Sequence, residues 1–169
     1  INQNPDIINQ FKTQSAIANI SYSNIYKSFF ANLKLQTHTN TSKITLSSEI
    51  NDQGFATTQA INKPNTIKNN GLGIDLSKGI LGTMNLGLKY NLNFSESQSY
   101  FNSQFIDAKN TTQNMEISFT WDDGKWYGLS YKSNIRYNTS KFNTNKINNV
   151  FAFNTLAIDF YASSTTRLN

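Results

Sequence analysis

A strict alternation of apolar and polar residues between Thr83 and Ser95 constrains this chain more than any other feature. Six apolar residues occupy every second position of the segment: Met84, Leu86, Leu88, Tyr90, Leu92 and Phe94. This period of two predicts a β-strand with one apolar face and one face exposed to water. The exposed face is too polar for a buried parallel sheet, so the pattern favours an antiparallel sheet.

Other segments share this period and extend the prediction to most of the chain. They are residues 16–22, 29–35, 72–76, 115–121, 127–137 and 156–160. The sequence therefore predicts an all-β fold of about seven long strands, with no segment of helical period. No apolar run approaches the ~18 residues of a transmembrane helix. A membrane β-barrel is compatible with a chain that is only 37% hydrophobic, because its strands expose apolar residues to lipid at every second position.

The predicted connections differ in length between the two ends of the strands. Short turns are predicted at residues 23–27, 78–82 and 123–125, and longer links at residues 51–54, 101–112 and 143–149. Outer-membrane barrels have tight turns on the periplasmic side and long loops outside. Residues 28–50 and 55–77 are predicted as two strands of about twice the length that crosses hydrocarbon, with far halves that project above the membrane.

Aromatic residues cluster near both ends of the predicted strands. Near the short turns are Tyr22, Tyr26, Phe29, Phe30, Trp121, Trp126, Tyr127, Phe160 and Tyr161. Toward the long links are Tyr100, Phe101, Tyr137, Phe142, Phe151 and Phe153. Membrane barrels place aromatic girdles at both interfaces, whereas a soluble sandwich buries its aromatics mid-strand. The distribution favours a transmembrane barrel.

Three segments resemble the late barrel of TonB-dependent receptors and their outer-membrane β-barrel relatives. Residues 4–9 read NPDIIN, residues 27–33 read KSFFANL, and residues 50–58 read INDQGFATT, with a polar turn at the tip of a long hairpin. The resemblance implies a barrel of about 22 strands, an N-terminal plug and a segment that engages the energising protein TonB.

Seven antiparallel strands leave two open edges, and an open edge in lipid leaves backbone groups without hydrogen bonds. We therefore expect residues 1–169 to be one partial transmembrane barrel domain, a fragment whose plug and remaining strands lie elsewhere. Further strands are expected beside residues 15–22 and 150–162. The expected location is the cell outer membrane. The expected partners are outer-membrane lipids, the rest of the barrel and, from the resemblance, TonB and a surface lipoprotein or other subunits of an outer-membrane complex.

The period of two assigns the side chains of each strand to one of two faces. The residues predicted to face the lumen are Asn32, Lys34, Gln36, Asp75, Asn85, Lys89, Asn91, Asn93, Glu116, Lys132, Asn134, Arg136 and Asp159. The residues predicted to face lipid are Leu33, Leu35, Leu72, Ile74, Leu76, Met84, Leu86, Leu88, Leu92, Ile117, Phe119, Leu129, Tyr131, Leu156, Ile158 and Phe160. The lumen residues either form a hydrated wall packed against a plug or contact cargo.

No motif points to catalysis, a metal or a cofactor. The chain has no cysteine, and its single histidine, His38, has no nearby acidic residue at ligand or triad spacing. Asp122-Asp123-Gly124 lacks the further ligands of a calcium loop and predicts a tight turn. Gly71 and Gly73 lie in a predicted strand, where small residues suit a crowded lumen, and lack the context of a dinucleotide site. Because no catalytic motif is present, we do not expect an enzyme. The basic residues behind the net charge of +5 are spread singly along the chain, so we do not expect a nucleic-acid partner.

The sequence is compatible with three functions from different classes. The first is a transporter, part of a TonB-dependent receptor-like barrel that takes up a bulky nutrient. The second is a receptor-like barrel that acts as a structural or assembly subunit of an outer-membrane complex. The third is a soluble Asn-rich adhesin or phage-fibre domain.

The hairpin around Asp123-Gly124-Lys125 allows its register to be predicted. A three-residue loop with a left-handed glycine places Asp122 opposite Trp126. Continuing along the ladder, Phe119 lies opposite Leu129, Ile117 opposite Tyr131, and Glu116 opposite Lys132. The last pair has opposite charges and would stabilise the hairpin by roughly 0.2 to 1 kcal/mol.

Overall fold

The computed structural model describes residues 10–50, 53–80, 82–124 and 127–160, and its regular structure is all β-strand. Its nine strands are β1 (Phe11–Asn24), β2 (Phe29–Ser42), β3 (Thr45–Ile50), β4 (Ala56–Ile61), β5 (Asn65–Ile80), β6 (Met84–Phe101), β7 (Gln104–Asp122), β8 (Tyr127–Phe142) and β9 (Asn145–Phe160). The all-β antiparallel prediction is confirmed. The described residues contain no helix of the length and apolarity needed to cross a membrane.

Seven of the strands form one single-layered sheet in the order β1-β2-β5-β6-β7-β8-β9. All neighbours in this order are antiparallel. Within the described ranges β1 pairs only with β2 and β9 only with β8, so the sheet is open at both edges. The expected strands beside β1 and β9 are therefore not among the described residues, and residues 161 and 162 of the predicted second edge lie outside them.

Two of the predicted long links are strand and not loop. β6 and β7 stay paired up to Phe101 and Gln104, joined by Asn102 and Ser103 alone. Both turn residues have positive φ angles, of 44° and 64°, as in the primed two-residue turns that match the twist of a hairpin. β8 and β9 likewise pair up to Phe142 and Asn145. The predicted links at 101–112 and 143–149 were wrong because their polar residues hide the period while the backbone ladder continues.

The predicted long hairpin of residues 28–77 is divided into two. Two residues separate β2 from β3, but three, including Pro64, separate β4 from β5. Pro64 has no N–H to donate to the ladder, and the unequal lengths turn the β3–β4 hairpin out of line. β3 then pairs in parallel with the C-terminal end of β6, where Ser47 lies opposite Tyr100. Of the predicted tip, Asn51 and Asp52 lie outside the described residues.

Rows of directly opposed residues cross the sheet. One of them, the reference row, comprises Ile20, Leu33, Ile74, Tyr90, Met115, Ile135 and Ala152. Because opposed residues project from the same side of a sheet and neighbours along a strand alternate, each row assigns a whole face. We call the face of the reference row the apolar face and the opposite one the polar face.

The lower ends of the strands, where β1 meets β2, are staggered across the sheet. β1 ends at Asn24, four residues beyond Ile20 of the reference row, whereas β9 ends at Phe160, eight residues beyond Ala152. The lower edge therefore descends by four residues between the first and the last strand. Such a stagger is what tilted strands need in order to close into a barrel.

The register of β7 and β8 differs from the prediction by two residues. Phe119 lies opposite Tyr131, and Glu116 lies opposite Asn134. The Asp122 carboxylate accepts a hydrogen bond from the Gly124 amide at 2.7 Å, and that of Asp123 accepts one from the Tyr127 amide at 3.1 Å. The Asp123 amide also donates to the Tyr127 carbonyl at 3.3 Å. The predicted loop was wrong because Asp123 itself joins the hairpin; residues 125 and 126 lie outside the described ranges.

The sheet has almost no core. Ala108 is the only buried hydrophobic residue among those described, and the buried polar residues Thr45 and Ser47 lie on β3, which meets the upper end of β6. Large apolar side chains elsewhere are exposed; Leu156, for example, is 63% exposed. A stable domain buries its apolar faces between layers. The apolar face of this single layer must therefore be covered by something outside it.

Candidate functional site

The polar face carries every residue predicted to face the lumen. Strand parity in the observed register places all thirteen on it: Asn32, Lys34, Gln36, Asp75, Asn85, Lys89, Asn91, Asn93, Glu116, Lys132, Asn134, Arg136 and Asp159. Since β2 and β5 to β8 contribute most of them, we call their polar side the polar wall. It is the candidate functional site.

A ladder of alternating charge crosses the centre of the polar wall. Asp75, Lys89 and Glu116 lie directly opposite one another on β5, β6 and β7, and Lys132 joins from β8. The Asp75 carboxylate and Lys89 Nζ are 3.9 Å apart, and Glu116 Oε2 and Lys132 Nζ are 2.9 Å apart. We call these four residues the charge ladder. The charge ladder lies on the opposite side of the sheet from the centre of the apolar face, because the adjacent row of paired residues is the reference row.

The predicted partnership of Glu116 and Lys132 exists despite the error in register. Lys132 lies opposite Ser118, two residues from Glu116, and a long side chain can bridge such a diagonal. The side chain of Glu116 is only 16% exposed, against 55% for Lys132. The pair therefore holds the Glu116 carboxylate close to the sheet and leaves the Lys132 ammonium group exposed to solvent.

Amide groups and glycines line the polar wall above the charge ladder. Gly71 lies between Gln36 and Asn93, and Gly73 between Lys34 and Asn91. A Cβ atom added to Gly71 would lie 2.8 Å from Gln36 Cγ and 2.9 Å from Asn93 Oδ1. The neighbouring amide side chains therefore fold over the glycine, in accordance with the crowding predicted for this stretch.

Polar side chains also surround a cleft of about 630 Å³ on the β6 to β9 part of this face. Its lining includes Asn91, Asn114, Lys132 and Arg136, with Phe153 at one side. Amides donate and accept hydrogen bonds, whereas lysine and arginine only donate. The cleft therefore suits a polar solute rich in oxygen, and nothing in it resembles a nucleophile with an activating base.

The apolar face carries every residue predicted to face lipid. The whole set shares the side of the reference row: Leu33, Leu35, Leu72, Ile74, Leu76, Met84, Leu86, Leu88, Leu92, Ile117, Phe119, Leu129, Tyr131, Leu156, Ile158 and Phe160. On β6 the apolar residues run from Met84 to Phe94, which is about 34 Å along an extended strand. With the strand tilt of about 40° typical of barrels, the band would be about 26 Å high, close to the ~25 Å of outer-membrane barrels.

The aromatic residues follow the predicted girdles only in part. At the lower end of the apolar face, Trp121 and Tyr127 pack edge to face with ring centroids 5.2 Å apart. Parity places five others on the polar face: Phe30, Phe101, Phe142, Phe151 and Phe153. Their assignment to a girdle was wrong because distance from a turn does not specify the face. Trp126 and Tyr161 lie outside the described residues.

The remaining sequence candidates have ordinary structural roles. His38 lies on the polar face of β2, opposite Ser15 and Asn69. Asp122 and Asp123 stabilise the turn that contains Gly124, whose φ angle is 71°. In the described part of the chain, no group of three or more His, Cys, Asp or Glu residues could hold a metal ion.

Sequence reasoning missed the anchoring of the β3–β4 hairpin. The Lys63 Nζ atom donates to the Tyr100 hydroxyl at 2.8 Å and lies 4.0 Å from the centre of its ring. The Asn102 side chain accepts a hydrogen bond from the Ile50 amide at 3.2 Å. These contacts join residues far apart in the chain, and no periodic signal could have revealed them.

Comparison with protein-family models, with curated proteins and with solved structures yields no match for this chain.

Proposed function

We propose that this chain forms part of the wall of an outer-membrane transport barrel of the TonB-dependent receptor type, which takes up a bulky nutrient. The observation that carries the proposal is a single-layered sheet with one continuous apolar face and an opposite face built of amides and paired charges. A barrel in a membrane needs this division, because lipid covers one face and water or a plug covers the other.

The height of the apolar band supports a membrane location over a soluble fibre. A fibre or sandwich would bury this face against a second sheet, whereas the described residues form one layer with exposed Leu86, Leu88 and Ile117. The stagger of the lower strand ends also favours closure of a tilted sheet into a barrel, with further strands beside β1 and β9. A total of about 22 strands and a plug belong to the receptor type.

The chemistry of the polar wall supports passage of a polar solute. Four basic side chains, Lys34, Lys89, Lys132 and Arg136, share the wall with the carboxylates of Asp75, Glu116 and Asp122. The wall therefore carries nearly balanced charges among many amide groups. Cargo with hydroxyl, carbonyl or anionic oxygen atoms would find donors along its whole height.

The proposal is tested first by barrel behaviour and then by transport. We expect the protein to resist extraction of outer membranes with alkali or urea, and to migrate faster on gels before boiling than after it. Cells with and without the protein are then compared for uptake of a size-graded series of labelled oligosaccharides and peptides, with and without an uncoupler. Protein-dependent uptake that stops with the uncoupler is the expected result.

Two results would contradict the proposal and identify its alternatives. Release of the protein in soluble form would point to the adhesin or fibre. A membrane-embedded protein that supports no uptake, but whose removal depletes other outer-membrane proteins, would point to the structural or assembly role.

A further inference from the structure

A row of lysines crosses the apolar-face side of the sheet above the apolar band. Lys68, Glu96, Lys109, Lys141 and Lys146 lie directly opposite one another, in this order, on β5 to β9. We call these five residues the lysine row. All five are exposed.

The row brings like charges together and balances them only in part, by Glu96 within the row and by Asp107, two residues above Lys109 on the same side of β7. Glu96 Oε1 is 3.1 Å from Lys109 Nζ, but Lys109 also lies opposite Lys141, which lies opposite Lys146. Like charges directly opposed across strands destabilise a sheet. A bound anion would therefore reduce the repulsion among the three neighbouring lysines, Lys109, Lys141 and Lys146.

The height of the row matches the level of lipid headgroups. Lys141 and Lys146 lie four residues above Tyr137 and Val150, the last members of the apolar band on β8 and β9. Four residues extend about 13 Å along a strand, or about 10 Å in height at the tilt of a barrel. Lysine side chains can reach several ångströms toward an interface while their stems stay on apolar surface.

The two ends of the apolar face differ in charge. At the lower end Lys78 shares this face, and its Nζ atom donates to the Lys27 carbonyl at 2.8 Å. At the upper end the lysine row holds four cations and one carboxylate. The upper end also carries the projecting strand halves and the β3–β4 hairpin, which are features of the outer side of a barrel.

We propose that the lysine row binds the phosphate groups of an anionic lipid in the outer leaflet. This inference rests on the proposed function, because it needs the apolar face to be in the membrane. Adjacent strands are about 4.8 Å apart, so Lys109, Lys141 and Lys146 span about 10 Å, enough to contact more than one phosphate. Ammonium groups attract phosphate as point charges, and salt weakens such exposed contacts.

The test uses the whole protein in an uncharged detergent, with diphosphorylated lipid A and its fully dephosphorylated form as probes. We expect clear preference for the diphosphorylated form, lost at high salt. The double substitution Lys141→Gln with Lys146→Gln should weaken its binding by at least about tenfold, since each basic side chain near an anionic surface contributes about fivefold. The matched control, Lys27→Gln with Lys43→Gln, removes the same charge elsewhere and should bind like the unmodified protein.

Several outcomes would overturn the inference while leaving the proposed function intact. These are equal binding of both lipid forms by the unmodified protein, equal weakening by the two double variants, or full displacement of the lipid by inorganic phosphate of the same concentration. Gel mobility before and after boiling is recorded for each variant. Loss of that shift, or of membrane association, in the unmodified protein would instead contradict the proposed function.

Discussion

The lower and upper halves of the long strands share one backbone ladder but have different side chains. On β6, residues 84–94 alternate strictly, whereas residues 95–101 are mostly polar on both faces. The ladder between β6 and β7 nevertheless runs without a break from Met84 opposite Trp121 to Phe101 opposite Gln104. Alternation therefore reflects what surrounds a strand, because a strand with water on both sides needs no apolar face.

A charge introduced into the two halves should separate them most strongly. Leu88→Lys places an ammonium group in the apolar band and should cost about 2 to 4 kcal/mol of folding free energy, as for lipid-facing lysines near mid-membrane. The matched control is Gln98→Lys, on the same strand and the same face but above the band, which should change stability by less than about 0.5 kcal/mol. Denaturant titration of the protein in lipid vesicles, followed by gel mobility, measures both. Equal costs would remove the distinction between the halves.

The same contrast explains how far the sequence could be used for prediction. The two faces were predictable because apolar residues such as Leu86 and Ile117 mark one parity wherever lipid or a core is needed. Residues 104–112 were mistaken for a loop because Asn, Thr and Lys on both faces carry no period. The turn of Asn102 and Ser103 contains neither glycine nor proline, so the usual signal of a hairpin was absent. Parity was enough to assign Asp75, Lys89, Glu116 and Lys132 to one face, but their order in the charge ladder, like the lysine row, depends on the register of several strands.

Substitutions in the turns at the two ends of β6 should change the free energy of unfolding in opposite directions. Gly82, just below the strand, has a φ angle of 70°, and an added Cβ atom would meet nothing within 4 Å. Gly82→Ala should therefore cost about 1 to 2 kcal/mol through the backbone alone. Ser103, above the strand, has a φ angle of 64°, so Ser103→Gly should raise stability by about 0.5 kcal/mol. Both are measured by the same unfolding titration, and a loss of stability in Ser103→Gly would argue against the two-residue turn.

Ion pairs in the two halves should differ in strength by a smaller amount. Glu116 and Lys132 lie in the polar wall, where the Glu116 side chain is 16% exposed, while the Glu96 side chain beside Lys109 is 50% exposed. Double-mutant cycles with Gln in place of each residue should give coupling of up to about 1 kcal/mol for the first pair and less than about 0.5 kcal/mol for the second. A larger coupling energy for Glu96 and Lys109 than for Glu116 and Lys132 would mean that the polar wall is more exposed to water than the upper halves of the strands.

Single-cysteine scanning of β6 in intact outer membranes measures which face of the sheet contacts lipid and which contacts water. The chain has no cysteine of its own, so each replacement from position 84 to position 101 can be labelled without background by a water-soluble maleimide. We expect labelling of odd positions from 85 to 93, protection of even positions from 84 to 94, and labelling of both parities from position 95 upward. Equal labelling of both parities below position 95 would contradict a sheet with one face in lipid and the other in water.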